Sequence, residues 1–224
     1  MSANPLFELT SVGKRYGHHQ ILRRVSLSME TPEVLGVIGP NGCGKTTLLR
    51  LLVGLLRPTC GSALLGGVPA FGRSGGLHIS YFAGESALPP MPRASRWSAL
   101  CSSGESAVRE SRPIGVLSRG CRQMVGLQTA LASSTVSLVV LDEPWEGLDP
   151  DGARWLKEVL RQRRSRGVAV VLSSHRLFDL AGVCDRYAFL SGGVLACARA
   201  EELSPNGPVS GDCLVAAYDR LARR

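Results

Sequence analysis

A glycine-rich segment between two apolar runs constrains the fold of this 224-residue chain more than any other feature. The segment spans Gly39–Thr47 and follows the apolar run Val34–Ile38. A short apolar run bounded by glycine predicts a buried strand, and the leucine-rich run after the loop predicts a helix over Lys45–Leu56. The glycines let the backbone curl until successive N–H groups face one concavity. A strand–loop–helix unit of this kind is typical of a parallel α/β sheet.

The same segment has the chemistry of a polyphosphate site. A helix N-terminus favours a bound phosphate. Lys45 supplies a positive charge for the β- and γ-phosphates, and Thr46 offers a hydroxyl to Mg²⁺. The segment fits G-x-x-x-x-G-K-[ST], the phosphate-binding loop of nucleotide triphosphatases. We therefore predict that ATP and Mg²⁺ bind here, and the nucleotide-binding residues are Gly39, Pro40, Asn41, Gly42, Cys43, Gly44, Lys45, Thr46 and Thr47.

A second apolar run ends in two carboxylates, Asp142 and Glu143. Residues 138–141 predict a buried strand, so both carboxylates are expected at the carboxyl edge of the sheet, where open α/β folds bind ligands. Asp142 is then placed to hold the Mg²⁺ of Mg-ATP. Glu143 is placed to orient and deprotonate an attacking water.

Two further segments, Leu117–Gln123 and Asp142–Pro150, occur with the loop in an order that resembles the ATP-binding-cassette family of ATPases. The resemblance extends from about Phe7 to Leu203. Leu117–Gln123, here called the signature segment, is similar to the L-S-G-G-Q-x-Q motif of that family. The resemblance implies a nucleotide triphosphatase core: a mostly parallel sheet flanked by helices, with an antiparallel β subdomain and a short inserted helical subdomain.

The resemblance also implies roles for five further residues. Tyr16 matches the aromatic residue that stacks on adenine, and His175 matches the switch histidine that senses the γ-phosphate. Ser118 and Gly120 belong to the helix start that reaches an ATP molecule bound by the other subunit. Asp149 lies in the loop that crosses the dimer interface. The implied catalytic set is therefore Glu143, His175 and Lys45, with Thr46 and Asp142 as metal ligands.

Family members act as pairs, so the resemblance implies a homodimer or heterodimer that traps ATP and moves separate multi-span membrane subunits. The sequence around the phosphate-binding loop resembles that of export subunits more than that of import subunits. No stretch of the sequence is long and apolar enough to span a bilayer, and the first residues lack the pattern of a signal peptide. Seven unpatterned cysteines indicate reduced thiols. We expect a cytoplasmic protein that is peripheral on the inner face of the cell membrane.

Two alternatives remain open at this point. A net charge of +8 permits a soluble ATPase of the same family that acts on nucleic acid or ribosomes. Such proteins usually carry tandem cassettes or long helical insertions, which this chain lacks, so nucleic acid is not the expected partner. A regulatory module that binds ATP but hydrolyses it weakly is the other alternative.

Three residues depart from the family pattern and motivate that regulatory alternative. Gly84 aligns with a glutamine that contacts Mg²⁺ and couples the site to the membrane subunits, and the adjacent Glu85 is a candidate substitute. In the signature segment, Arg119 replaces a glycine and Cys121 replaces a glutamine. The segment between Gly84 and the signature segment is also shorter than is usual in transport subunits.

The order of predicted strands, helices and loop-rich segments divides the chain into two parts. Residues 1–203 form an ATPase domain with an inserted helical subdomain at about 84–135, and residues 204–224 form a linker with a short helix. Residues 83–112 are rich in Ser, Pro, Arg and Gly, and their helical periodicity is weak. The predicted strands are Phe7–Val12, Ile21–Met29, Val34–Ile38, Ser62–Leu65, Ile79–Phe82, Leu138–Leu141, Val168–Leu172, Arg186–Leu190 and Val194–Arg199. Besides the helix after the loop, the predicted helices are Ser118–Ala132, Asp151–Arg164, Arg176–Ala181 and Cys213–Leu221.

Overall fold

The computed structural model describes residues 4–72, 77–102 and 108–221. The predictions made for the first residues, for part of the inserted subdomain and for the end of the tail fall on residues 1–3, 103–107 and 222–224, which lie outside the described residues. Within the described parts, no helix combines the length and the apolar character that crossing a membrane requires.

Strands and helices alternate along most of the chain, as the sequence predicts. In the described ranges the strands are β1 (Phe7–Tyr16), β2 (His19–Met29), β3 (Val34–Ile38), β4 (Cys60–Leu65), β5 (Val68–Pro69), β6 (Ile79–Phe82), β7 (Leu138–Leu141), β8 (Ala169–Ser174), β9 (Arg186–Ser191) and β10 (Val194–Arg199). The α-helices are α1 (Lys45–Leu52), α2 (Ala94–Cys101), α3 (Arg119–Ala130), α4 (Pro150–Ser165), α5 (Leu177–Leu180), α6 (Ala200–Leu203) and α7 (Gly211–Leu221). Single 3₁₀ turns occupy Glu85–Ala87 and Ile114–Val116.

A six-stranded sheet of order β10-β9-β3-β8-β7-β6 forms the centre of the molecule. Its neighbouring strands run parallel except for the β9–β10 hairpin, which turns at the predicted Ser191–Gly193. Every residue of β3, β7 and β8 is buried, as expected for strands covered on both faces. Because β3, β7 and β8 are adjacent and parallel, the loops after their carboxyl ends meet at one edge of the sheet.

The second sheet has the order β2-β1-β4-β5 and its pairs are antiparallel, which confirms the predicted small antiparallel sheet. Helix α1 is fixed by one apolar cluster that it shares with both sheets. Leu48 and Leu51 of the helix, Phe7 of β1 and Val37 of β3 belong to this cluster, and each is fully buried. Helix α1, which follows the glycine-rich loop, is therefore packed against both sheets.

Helix α1 ends four residues earlier than predicted. Gly54 has a φ of 79°, and its N–H donates to Leu51 O at 3.2 Å. A Cβ atom at Gly54 would lie 2.1 Å from Ala70 O, so only glycine fits there. A left-handed glycine after a helix is a common stop, and it leaves Leu55 outside the helix and exposed.

Helix α2 was not predicted, because only Ala94 and Ser98 of its eight residues are buried and its periodicity is correspondingly weak. It packs near α3 over a third, smaller apolar cluster that includes Ile114, Leu117 and Val125. The division of the chain into an ATPase domain with an inserted subdomain stays a prediction.

Candidate active site

The glycine-rich loop joins the buried strand β3 to α1, and its glycines are required for two different reasons. Gly42 and Gly44 have φ values of 79° and 110°, in the left-handed region that favours glycine. Gly39 is needed for space instead, since a Cβ atom there would lie 2.4 Å from Leu190 O. The remaining loop positions tolerate side chains: Pro40 and Asn41 are exposed, and Cys43, Thr46 and Thr47 are half-buried.

Burial raises the pKa of the Cys43 thiol more than the charge of Lys45 lowers it. The thiol therefore stays protonated at neutral pH, when it is a poor nucleophile. This agrees with Cys43 serving as a small loop residue.

Lys45 is a buried cation at the start of α1, with 6% of its surface exposed. Its Nζ donates to Gly39 O at 2.8 Å and to Pro40 O at 3.2 Å, and it lies 3.0 Å from Glu143 Oε1. Buried charges of this kind need a counter-charge and hydrogen bonds. The loop and the end of β7 are thus joined through one ammonium group.

Glu143 lies between Lys45 and a histidine. His175 Nδ1 is 2.9 Å from Glu143 Oε2, and the His175 backbone N–H donates to the same oxygen at 3.2 Å. The backbone of Glu143 has a φ of 47°, a left-handed conformation that costs a non-glycine residue about 1–2 kcal/mol. Such conformations persist where surrounding contacts impose them, commonly at functional sites.

Asp142 precedes Glu143 and is 5% exposed. Ser173 Oγ donates to Asp142 Oδ1 at 2.6 Å and accepts from the Glu143 N–H at 3.0 Å. Thr46, Asp142 and Glu143 border one cavity of about 200 Å³. A hydroxyl and carboxylates are the hard oxygen donors that Mg²⁺ prefers. In residues 4–72, 77–102 and 108–221, no three His, Cys, Asp or Glu side chains form a cluster that could itself enclose a metal ion.

Ser118, Gly120 and Asp149 line a different cavity, of about 410 Å³, whereas Arg119 and Gln123 of the signature segment border the cavity of Thr46 and Asp142. Ser118 caps α3, and its Oγ accepts from the Cys121 N–H at 3.2 Å. Asp149 caps α4 and accepts from the Gly152 N–H at 2.7 Å. The predicted site residues therefore divide into two groups within one chain. Lys45, Thr46, Asp142, Glu143 and His175 form one group, and Ser118, Gly120 and Asp149 form the other.

Tyr16 ends β1 and is 47% exposed. The ammonium of Lys14 lies 5.2 Å from the centre of its ring, a cation–π contact. Its adenine-stacking role stays a prediction.

The carboxylate of Glu85 is engaged by arginines of α3. Arg122 Nε donates to Glu85 Oε2 at 2.7 Å, and Arg119 Nε lies 3.4 Å from Oε1. Arg119 also contacts Glu146, in the loop after β7, at 3.0 Å. Glu85 borders the cavity of Thr46 and Asp142, but its oxygens face the two guanidinium groups. The contacts therefore favour a role in tying this loop to α3 over the role of a metal ligand.

Sequence reasoning missed two residues that contact the site directly. Gln123 is 1% exposed, and its Nε2 donates to Glu143 O and Pro144 O; Ser173 is fully buried against Asp142. Gln123 ends the signature segment and Ser173 lies in β8, so the available signal was a polar residue on an otherwise buried face of a helix or strand.

Comparisons with known proteins agree with this architecture. The family model described as "ABC transporter" matches residues 22–146, more than half of the chain. An uncharacterized ABC transporter ATP-binding protein of Nostoc sp. is 32% identical over 79% of this chain; the match spans 58% of that protein's length. The lipopolysaccharide export system ATP-binding protein LptB of Acidithiobacillus ferridurans is 30% identical over 88% of this chain and 92% of its own.

A solved structure titled as the ATP-binding subunit of an ABC transporter superposes with a TM-score of 0.79. It is 21% identical and covers 94% of this chain and 98% of its own, so it supports the fold alone. The matched family model and the LptB relative go further, because both rest on the sequence that carries the phosphate-binding loop and the paired carboxylates. The chain therefore belongs to the ATP-binding-cassette (ABC) transporter family.

Proposed function

We propose that the chain is the ATP-binding and ATP-hydrolysing subunit of a membrane exporter. The observation that carries the proposal is the carboxylate of Glu143, which lies between Lys45 Nζ at 3.0 Å and His175 Nδ1 at 2.9 Å, beside the glycine-rich loop. A carboxylate held at a phosphate-binding loop suits a general base. Export is supported by the LptB relative, which is named for lipopolysaccharide export.

In this proposal, the backbone N–H groups of the loop and the ammonium of Lys45 bind the β- and γ-phosphates. Glu143 orients a water and accepts its proton as the water attacks the γ-phosphate. His175 fixes the carboxylate through Oε2, and its proposed role is to sense the γ-phosphate. Tyr16 stacks on the adenine ring.

Thr46 and Asp142 are the proposed ligands of Mg²⁺, which neutralises charge on the phosphates when it is bound. Thr46 and Asp142 would supply two protein oxygens, and few protein ligands are usual for Mg²⁺ in nucleotide sites. The hydrogen bond from Ser173 holds the Asp142 carboxylate at the cavity that Asp142 shares with Thr46.

Ser118, Gly120 and Asp149 are proposed to contact the nucleotide of a second ATPase subunit, identical or related, because they border a cavity other than that of Thr46, Asp142 and Glu143. Closing and opening of this dimer would act on separate multi-span membrane subunits. The site of action is then the cytoplasmic face of the membrane.

The Glu143→Gln variant tests this proposal. Removing the negative charge eliminates the base but keeps the side chain's size, so turnover should fall about 10²-fold or more while ATP still binds. ATP hydrolysis and nucleotide affinity are measured on the purified chain, and size-exclusion chromatography should show an ATP-dependent dimer accumulating.

Glu158→Gln is the matched control, because Glu158 lies exposed on α4. Its turnover should equal that of the wild type. Normal hydrolysis by Glu143→Gln would reject Glu143 as the base and the proposed mechanism with it.

A further inference from the structure

The backbone of Glu143 is held on both sides by buried side chains. On one side, Ser173 Oγ accepts from its N–H at 3.0 Å. On the other, Gln123 Nε2 donates to Glu143 O at 3.2 Å and to Pro144 O at 2.9 Å. The residue between these contacts has a φ of 47°, so the contacts impose a conformation that the chain would not adopt by itself.

Gln123 is 1% exposed, and its two hydrogen bonds from Nε2 both go to this turn. A buried amide is costly unless it is hydrogen-bonded, so the position of Gln123 and the path of the turn depend on each other. Ser173 contacts Asp142 as well, and changing it would disturb a proposed metal ligand. Gln123 is therefore the cleaner probe of how the turn is held.

We propose that Gln123 is a positioning residue that sets the direction of the Glu143 carboxylate. The inference rests on the proposed role of Glu143 as the base. The direction of a side chain follows from the φ and ψ of its residue, and Gln123 fixes the peptide that follows Glu143. Gln123 belongs to α3, which begins next to Ser118. The direction of the Glu143 carboxylate therefore also depends on the position of α3.

The Gln123→Met variant keeps the length of the side chain and removes its donors. We expect kcat of the purified chain to fall about 10- to 100-fold, because a small misplacement of a catalytic group has an effect of this size. ATP affinity should stay within about twofold of the wild type, because Lys45 and Thr46 are untouched. Equal losses in kcat and affinity, or an unchanged kcat, would overturn the inference.

Thr129→Val is the matched control. Thr129 is also buried on α3, and its hydroxyl bonds to Ser98 Oγ and Val125 O, both at 2.7 Å, in the direction of α2 rather than of Glu143. This variant should lower the unfolding temperature but keep kcat within about twofold of the wild type. A loss of kcat equal to that of Gln123→Met would mean that any buried polar change in α3 has the same effect, and would overturn the inference.

A double variant separates this inference from the proposed function. If Gln123 acts through the carboxylate of Glu143, adding Gln123→Met to Glu143→Gln should reduce the residual turnover less than about twofold. A full additive loss would overturn the positioning role alone. Normal turnover by Glu143→Gln itself would overturn both the proposed base and the inference.

The Gln123→Glu variant provides a second route if Gln123→Met does not fold. Its carboxyl donates a hydrogen bond to Glu143 O only when it is protonated, and burial favours the protonated form. Turnover relative to the wild type should therefore rise as the pH falls from about 8 to about 6. A flat ratio across this range would overturn the inference, because a packing defect alone does not titrate.

Discussion

At the scale of single residues, Lys45 holds two parts of the site at once. Its ammonium bonds to two carbonyls of its own loop and lies 3.0 Å from Glu143 Oε1. A bound phosphate would meet this cation directly at the start of α1, where the helix dipole adds to its charge. Lys45→Ala should therefore lower ATP affinity at least about 10²-fold, or about 3 kcal/mol, measured by calorimetry.

Lys157→Ala is the matched control for this change, since Lys157 is a half-buried lysine that belongs to α4 rather than to the loop. It should bind ATP normally. The Lys45→Ala variant should still fold, because its side chain contacts the loop and Glu143 rather than the apolar core. Wild-type affinity in a folded Lys45→Ala protein would contradict the proposed phosphate contact.

Which residues meet at the site could be predicted from the sequence, but how they are held could not. Asp142 and His175 follow buried parallel strands, so their meeting at one sheet edge follows from topology. The hydrogen bonds of Ser173 and Gln123 depend on side-chain rotamers across 31 and 21 residues of sequence, which no local pattern records. The φ of 47° at Glu143 has the same origin.

At the scale of elements, the 3₁₀ turn after β6 is tied to α3 by Glu85. Its carboxylate accepts from Arg122 at 2.7 Å and lies 3.4 Å from Arg119. Glu85→Ala leaves both guanidinium groups without this partner, so we expect the free energy of unfolding to fall by about 1–3 kcal/mol, measured by chemical denaturation. If Glu85 were a metal ligand instead, the Mg²⁺ dependence of nucleotide binding would change while the unfolding curve did not.

A surface pair provides the comparison for Glu85. Glu158 and Arg161 are 3.5 Å apart on α4 and both are exposed, so Glu158→Ala should change stability by less than about 1 kcal/mol. Equal effects of the two substitutions would remove the structural role assigned to Glu85.

Gly84, directly before this turn, has a φ of 90° and a ψ of 165°, a conformation open almost only to glycine. A glutamine could not be placed there without rebuilding the backbone, so the family's coupling glutamine has no simple counterpart at this position. The resemblance in sequence could not reveal this backbone conformation. A glycine in a loop is equally consistent with lost function and with a changed backbone path.

Elements with a strong pattern were predicted best. The bounds of β3, β6, β7 and β10 match the predictions, because apolar runs bounded by turns mark strands clearly. Helix α1 shows the opposite case: its leucines continue past Leu52, and the stop at Gly54 follows from a close approach to Ala70 O. The pattern of leucines alone therefore overestimated the helix.

At the scale of the whole molecule, the two groups of proposed site residues do not meet within one chain. Lys45 and Glu143 lie at the carboxyl edge of the parallel sheet, and Thr46 borders a cavity of about 200 Å³ there. Ser118 and Asp149 border the separate cavity of about 410 Å³. If both groups contact nucleotide, each site must be completed by a second subunit, so loss of either group should be correctable by a subunit that retains it.

Mixing two inactive variants tests this arrangement. Lys45→Ala removes the phosphate cation, and Ser118→Asp places a negative charge at the start of α3 while keeping a residue that caps helices well. Ser118→Asn, neutral and also a good cap, is the control for the added charge and should be less impaired than Ser118→Asp. In a one-to-one mixture of the inactive variants, half of the dimers contain one of each, and one of their two sites is intact. ATPase activity should therefore recover to about a quarter of the wild-type value. A mixture no more active than its components would show that Ser118 and Lys45 do not act on a nucleotide shared between subunits.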